Sequence, residues 1–113
     1  MSKSAQDFLS EANSMVPSIA VAEALSLINS GKAVVIDVRD GKEIDQAGTV
    51  KNALRIPRGM IEFVADPTTS FYNNQISNDK EILVICGAGG MAALTGKTLI
   101  EMGYTNVHNA GGF

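Results

Sequence analysis

Cysteine and histidine are scarce in this chain, whose 113 residues include one of each. A single cysteine cannot form an intramolecular disulfide, which excludes a disulfide-stapled secreted fold and favours a reducing compartment. One histidine and one cysteine cannot supply a Cys/His zinc cluster, so we expect no bound metal. The lone thiol, Cys86, is therefore an inert core residue, a cross-link to a partner, or a reactive centre.

The chain also lacks a basic excess and a long apolar run. Nine basic against twelve acidic residues give a net charge of −3, which argues against a nucleic-acid or anionic-membrane partner. The longest apolar runs, such as residues 82–86, fall far short of the ~20 residues that span a bilayer. The first fifteen residues contain no continuous apolar segment of the signal-peptide type. We therefore predict a cytoplasmic protein with no nucleic-acid and no membrane partner.

The length and the apolar periodicity predict one α/β domain, because a chain of this size can bury a single core. Apolar residues recur at helical spacing in four segments: residues 4–14, 19–30, 58–65 and 91–102. Short apolar runs predict four strands: residues 33–38, 53–56, 81–86 and 105–108. The strongest of these runs are apolar on both faces, which is typical of a parallel sheet covered by helices. Residues 39–48 are interpreted as a loop with a short helical turn, and residues 66–80 as a turn-rich connection.

The most informative segment is the cysteine loop (residues 86–92), in which a buried strand ends at Cys86. Small residues then separate this strand from the next helix: Gly87, Ala88, Gly89 and Gly90. Ligands bind outside the carboxyl ends of strands in open α/β sheets, and glycines let successive N–H groups turn towards an anion. These N–H groups and the positive end of the helix dipole also stabilise a thiolate. The sequence therefore predicts a nucleophile and an anion receptor at one point; the alternative is a buried, inert cysteine beside a tight turn.

Three better-known loop motifs resemble this segment, and each fails on spacing. Residues 87–92 match the G-x-G-x-x-A dinucleotide pattern, but residues 104–108 carry no acid to hold a ribose. The Gly-Lys-Thr sequence at residues 96–98 resembles the end of a P-loop, but Met91 occupies the position of its first glycine. A cysteine phosphatase needs an arginine six positions after the cysteine, where this chain has Ala92. A nucleotide-binding fragment is thus the weakest alternative.

Several segments carry a family resemblance: the strand and DVR signature at residues 35–40, Glu43 with residues 48–53, the helix at residues 56–63, the six-residue loop at residues 86–91, and the closing stretches at residues 102–107 and 111–113. Taken together, these segments resemble the rhodanese-like, single-domain sulfurtransferase family. The similarity implies a three-layer α/β/α fold with a central, mainly parallel sheet of about five strands and helices on both faces. It also implies an N-terminal helical extension at residues 1–16 and a rhodanese-like domain at residues 17–113 that lacks the family's last helix.

This resemblance implies sulfur transfer through a Cys86 persulfide. Thiosulfate or a persulfide would donate the sulfur, and cyanide, a small thiol or a protein thiol would accept it. Backbone amides would hold the transferred sulfur and the leaving anion, namely those of Gly87, Ala88, Gly89, Gly90, Met91 and Ala92. No metal or organic cofactor is required. The alternative is a catalytically weak, rhodanese-like binding or regulatory module.

Two positions of the loop depart from the family pattern. In the family's six-residue active-site loop, which corresponds to residues 86–91, the last residue is often basic or hydroxyl-bearing and is Met91 here. The second residue is often an arginine and is Gly87 here. The loss of a charged or polar group at the mouth makes thiosulfate a doubtful donor and favours a less anionic or protein-borne persulfide.

Other polar residues near these segments receive mainly structural interpretations. We predict that Asp37 and Arg39 form a structural ion pair beside the loop. Arg58 either faces the mouth and attracts an anionic donor or is an ordinary surface arginine. Thr49 and His108 are both interpreted as structural. Met91 and Phe63 are interpreted either as an apolar rim of the site or as core residues.

Overall fold

Helices and strands alternate along the chain in the computed structural model, which describes residues 2–112. The elements are α1 (Ala5–Met15), α2 (Val21–Asn29), β1 (Ala33–Asp37), α3 (Gly41–Ala47), β2 (Leu54–Arg55), a 3₁₀ turn (Arg58–Met60) that continues into α4 (Ile61–Val64), β3 (Glu81–Cys86), α5 (Gly90–Glu101) and β4 (Val107–Gly112). No helix among these residues is long and apolar enough to cross a bilayer.

The strands form one parallel sheet with the order β2-β1-β3-β4. The predicted α/β class with a mainly parallel sheet and helices on both faces is confirmed. The prediction of about five strands is corrected, because residues 2–112 contain a sheet of four. On the outer side of β4, residues 2–112 form one isolated parallel bridge, between Ser18 and Asn109. Pro17 lacks the N–H group needed to extend that bridge into a ladder.

Alternating side chains of the central strands build two apolar layers, because successive residues of a strand point to opposite faces. Ile36 and Val84 belong to the larger layer, which packs against Leu99 of α5. Leu83 belongs to the smaller layer, which packs against Ala24 of α2. The sheet therefore lies between helices, with the carboxyl ends of its strands left open at one edge.

Helix α1 packs along α5 and contributes to the main core. A capping box begins it, in which Ser4 and Asp7 each accept a hydrogen bond from the other's backbone N–H. Ala12 of α1 and Val16, which directly follows the helix, are buried. The boundary between residues 16 and 17, and the loss of the family's last helix, stay predictions.

Strand β4 ends at Gly112, four residues beyond the predicted end at residue 108. Glycines normally weaken a strand, but here they allow a close approach of two backbones. A Cβ atom on Gly112 would lie 2.1 Å from the carbonyl oxygen of Gly87. The end of β4 is therefore pressed against the cysteine loop.

Candidate active site

Cys86 lies at the carboxyl end of β3, and the loop that follows curls around its sulfur. The residue is 2% exposed. Its Sγ accepts hydrogen bonds from the backbone N–H of Gly89 at 2.9 Å and of Ala92 at 3.4 Å. These two N–H groups converge on one sulfur and give it hydrogen-bond partners inside the buried site.

The curl of the loop depends on one glycine and on the start of α5. Gly89 has φ 93°, a left-handed conformation that favours a residue without a side chain. Helix α5 begins at Gly90, so the amides of Gly90 and Met91 lie in its first turn, where N–H groups have no partner within the helix. The positive end of the helix dipole thus lies at the loop, as predicted.

Asp37 and Arg39 form a buried ion pair at the neighbouring end of β1. Arg39 Nη2 lies 2.8 Å from Asp37 Oδ2 and donates a second hydrogen bond to the Gly48 carbonyl at 2.7 Å. Thr49 Oγ1 also donates to Asp37 Oδ2, at 2.6 Å. Burial opposes ionisation of Asp37, but hydrogen bonds from Arg39 and Thr49 hold the pKa of its carboxyl below the ordinary value.

The positive charge of Arg39 also faces the cysteine loop. The pKa of its guanidinium is raised, first by hydrogen bonding to Asp37 and then, against the effect of burial, by the negative charges of Asp37, Glu43 and Cys86. Arg39 is nearly fully buried, and its N–H groups are held by Asp37 and Gly48. Its charge therefore contributes to the electrostatic field at the cysteine loop.

Arg58 and Met91 lie together in a groove of about 610 Å³ between α1 and α5. Met91 is 40% exposed, which excludes the core interpretation for this residue. Arg58 is near the loop, but its guanidinium donates to Glu62 at 3.3 Å and to Thr98 at 3.0 Å. Leu9 of α1 closes the groove towards Gly90, with its Cδ2 3.5 Å from the position of a Cβ at residue 90.

Phe63 and His108 contact other parts of the protein. Phe63 is half exposed and packs edge-on against Phe71, with 6.4 Å between ring centroids. His108 Nε2 lies 3.1 Å from Glu81 Oε2, and the two residues belong to neighbouring strands. Both side chains therefore have structural partners.

Two residues beside the loop were not selected from the sequence as site residues. Asn109 of β4 donates from Nδ2 to the Gly89 carbonyl at 3.0 Å. Glu43 of α3 places its Oε2 3.4 Å from where a Cβ of residue 87 would stand. Glu43 appears in the family resemblance, whereas the one sequence signal for Asn109 is its place just before the final glycines.

Comparison with known families identifies this arrangement of strand, cysteine loop and helix. The family model "Rhodanese-like domain" matches residues 20–113. This chain belongs to the rhodanese-like domain family. The matched region includes β3, the cysteine loop and β4, and it begins after the end of α1.

Known rhodanese-like and related structures cover most of the chain. A Rhodopseudomonas palustris protein of unknown function, described as a "possible tyrosine phosphatase", is 34% identical and matches 100% of this chain and 88% of its own with a TM-score of 0.90. The human single-domain sulfurtransferase TSTD1 is 28% identical and matches 86% of this chain and 90% of its own with a TM-score of 0.70.

One curated relative is much longer than this rhodanese-like chain. It is the adenylyltransferase and sulfurtransferase UBA4 of Candida albicans, which is 32% identical over 81 residues. The match covers 72% of this chain but 18% of UBA4. The chain therefore spans about a fifth of that relative's length.

Proposed function

We propose that this rhodanese-like domain is a sulfurtransferase that carries sulfane sulfur on Cys86. The observation that carries the proposal is the position of Cys86 Sγ, held by the N–H groups of Gly89 and Ala92 at the start of α5. Such a loop favours a thiolate nucleophile and then receives the negative charge of a persulfide. The family match and the similarity to human TSTD1 support the same reaction class.

The reaction exchanges one sulfur–sulfur bond for another. The Cys86 thiolate attacks the outer sulfur of the donor and forms a new S–S bond, while the donor's own bond to that sulfur breaks. The bonding electron pair leaves with sulfite, when thiosulfate is the donor, or with a thiolate, when a persulfide is the donor. An acceptor thiolate or cyanide then attacks the terminal sulfur of the Cys86 persulfide, and the Cys86 thiolate is the leaving group.

The loop amides are the groups that would bind the terminal sulfur. The N–H groups of Gly90 and Met91 belong to the first turn of α5, and those of Gly87 and Ala88 precede it. They supply a preorganised set of dipoles that needs no metal ion or organic cofactor.

The charges around the loop favour a donor with little negative charge. The guanidinium groups of Arg39 and Arg58 are held by partners within the protein, and residues 87–92 contain no charged side chain. The carboxylate of Glu43 lies beside Gly87 and would repel a dianion. We therefore propose a persulfide of a small or protein thiol as the preferred donor over thiosulfate.

A cysteine phosphatase is less well supported by these residues, despite the description of the Rhodopseudomonas palustris relative. Phosphate transfer to a cysteine needs a bidentate cation at the loop, usually an arginine at its end. The corresponding residue here is Ala92, which is fully buried and donates only its backbone N–H to Cys86.

The test is the formation and discharge of a Cys86 persulfide. The reduced protein is incubated separately with thiosulfate, glutathione persulfide and a persulfidated protein, and its intact mass is measured. We expect a gain of ~32 Da that maps to the Cys86 peptide and disappears on addition of thiol or cyanide. The Cys86→Ser variant, which has no thiol, is the matched control and should gain no mass.

Two results would contradict the proposal. The first is no added sulfur on Cys86 with any of the three donors, which would favour a binding or regulatory module. The second is sulfur transfer by Cys86→Ser at the rate of the unchanged protein. A release of phosphate from phosphotyrosine that depends on Cys86 would support the phosphatase instead.

A further inference from the structure

Asn109 connects strand β4 to the cysteine loop through its side-chain amide. Its Nδ2 donates to the Gly89 carbonyl at 3.0 Å, and its Oδ1 accepts from the Gly111 N–H at 2.8 Å. These two contacts fix the orientation of the Asn109 side-chain amide, because its NH₂ group must face the Gly89 carbonyl and its oxygen must face the Gly111 N–H. Both ends of the side chain are therefore committed to backbone groups at the edge of the site.

The residue that Asn109 holds is the one that contacts the sulfur most closely. Gly89 donates its N–H to Cys86 Sγ at 2.9 Å and presents its carbonyl to Asn109. Its left-handed backbone, with φ 93°, has no side chain to restrict it. Glycine has high conformational freedom, so hydrogen bonds to its backbone groups are what keep this partly buried residue in one orientation. The Gly89 carbonyl accepts from the Ala93 N–H of α5 at 3.0 Å as well as from Asn109.

The hydrogen bond from Asn109 to the Gly89 carbonyl also sets the direction of the next N–H group, that of Gly90. In a trans peptide the C=O of one residue and the N–H of the next point in opposite directions. Because Asn109 holds the Gly89 carbonyl on its own side, the Gly90 N–H points away from Asn109. Asn109 thus constrains the direction of the Gly90 N–H as well as the backbone of Gly89, the residue that donates to Cys86.

The backbone of Asn109 is itself held from outside the segment that the family model matches. Its N–H donates to the Pro17 carbonyl at 2.8 Å, and its carbonyl accepts from the Ile19 N–H at 3.2 Å. Both partners precede residue 20, where the family match begins. The segment after α1 therefore fixes the strand position from which the Asn109 side chain reaches the loop.

We propose that Asn109 is a positioning residue that keeps the Gly89 N–H on Cys86 and so maintains the reactive thiolate. The inference rests on the proposed role of Cys86 as the sulfur carrier. Without the Asn109 donor, the Gly89 carbonyl is held only by Ala93 of α5, so the Gly89 backbone has more freedom and its N–H bond to the sulfur weakens. A thiolate that loses a hydrogen-bond donor takes up a proton more readily.

The test measures thiolate formation directly, through the pH dependence of Cys86 alkylation by iodoacetamide. Asn109→Asp keeps an oxygen to accept from Gly111 and loses the donor to Gly89. Asn109→Ala removes both contacts without adding a charge. The matched control is Asn106→Asp, because Asn106 precedes the same strand and donates to the Asn78 carbonyl at 3.4 Å, away from the loop.

We expect both Asn109 variants to move the midpoint of alkylation upward by about one pH unit, which is about a tenfold lower rate below the midpoint. Asn106→Asp should leave the midpoint unchanged. Thermal melting in the same buffers shows which variants are folded, and the uncharged Asn109→Val, which also lacks both hydrogen bonds, replaces Asn109→Ala if that variant is not. The charged groups on neighbouring elements, Asp37, Arg39 and Glu43, are the same in every variant.

An unchanged midpoint in folded Asn109→Asp overturns the inference. An equal shift of the midpoint in Asn106→Asp also overturns it. So does a shift in Asn109→Asp that folded Asn109→Ala does not show, because either result assigns the effect to the added charge. Alkylation needs no sulfur donor. A chain that forms no persulfide would therefore refute the proposed function while this measurement still decides the role of Asn109.

Discussion

Met91 is the side chain that most distinguishes the mouth of this cysteine loop from a basic one. It directly follows the loop's run of small residues, it is 40% exposed, and it shares a groove with Arg58. The Arg58 guanidinium is engaged by Glu62 and Thr98, so the groove offers an approaching anion no free charge at this point. The preference of the site for charged or uncharged donors should therefore change when residue 91 is changed.

Met91→Arg should raise kcat/KM for thiosulfate about two- to fivefold, because one exposed positive charge attracts the dianion. The gain should be smaller at high salt, which screens this attraction. Transfer from an uncharged persulfide should change little. The control is Met102→Arg, which adds the same charge to an exposed methionine just beyond the other end of α5. Steady-state sulfite release measures both. Equal rates for Met91→Arg and the unchanged protein, or an equal gain in Met102→Arg, would show that residue 91 does not select the donor.

Cys86 and Asn109 differ in how far the sequence could identify them. Cys86 was predicted because its signal is local: a buried strand, a run of small residues and a helix follow one another directly. The contact of Asn109 with Gly89 joins residues 20 positions apart. It depends on the register of β4 on β3, which shifts at an irregularity between Val84 and Ile85. No pattern within either segment encodes that register.

At the scale of elements, α5 is held close to its neighbours by a glycine in its middle. A Cβ on Gly96 would lie 2.8 and 3.0 Å from the two Cγ atoms of Val16, and 3.5 Å from Val107. Contacts below 3.0 Å force a displacement in a packed core. The approach of α5 to the end of α1 and to β4 thus requires the absence of a side chain at this position.

Gly96→Ala should lower the free energy of unfolding by about 1–2 kcal/mol, because overpacking exceeds the gain in helix propensity. The control is Gly59→Ala, where a Cβ meets nothing within 4 Å, and its effect should stay within about 0.5 kcal/mol. Urea unfolding measures both. Val16→Ala added to Gly96→Ala should recover part of the loss. A Gly96→Ala protein as stable as the unchanged chain would mean that α5 moves freely away from Val16.

The elements themselves were largely predictable, and the differences lie where tertiary contacts override local pattern. The α2, β1, β3 and α5 segments carry strong apolar periodicity and were placed within two residues of their ends. The end of β4 was placed too early, because the glycines at residues 111 and 112 disfavour a strand unless another backbone lies against them. The apolar runs predicted four strands, the number in the sheet of residues 2–112, whereas the family resemblance implied about five.

At the scale of the whole molecule, α1 is part of the domain's core although the family match begins at residue 20. Ala12 of α1 is fully buried, and Val16 belongs to the same apolar layer as Leu99 and Val107. The chain after Val16 hydrogen-bonds to Asn109 of β4. Removing α1 from its place would expose this layer, so α1 should not detach before the sheet unfolds.

We therefore predict that α1 and the rest of the chain unfold in urea as one cooperative unit. A fluorophore on Ser10→Cys, in the Cys86→Ser background, reports on the exposed side of α1. Intrinsic tyrosine fluorescence reports on the core, where the buried Tyr104 hydroxyl donates to the Ala65 carbonyl at 2.6 Å and no tryptophan masks the signal. The two midpoints should coincide with that of far-UV circular dichroism. A label transition at distinctly lower urea would show that α1 is an independent appendage, and its support of Asn109 through residues 17–19 would then be dispensable for stability.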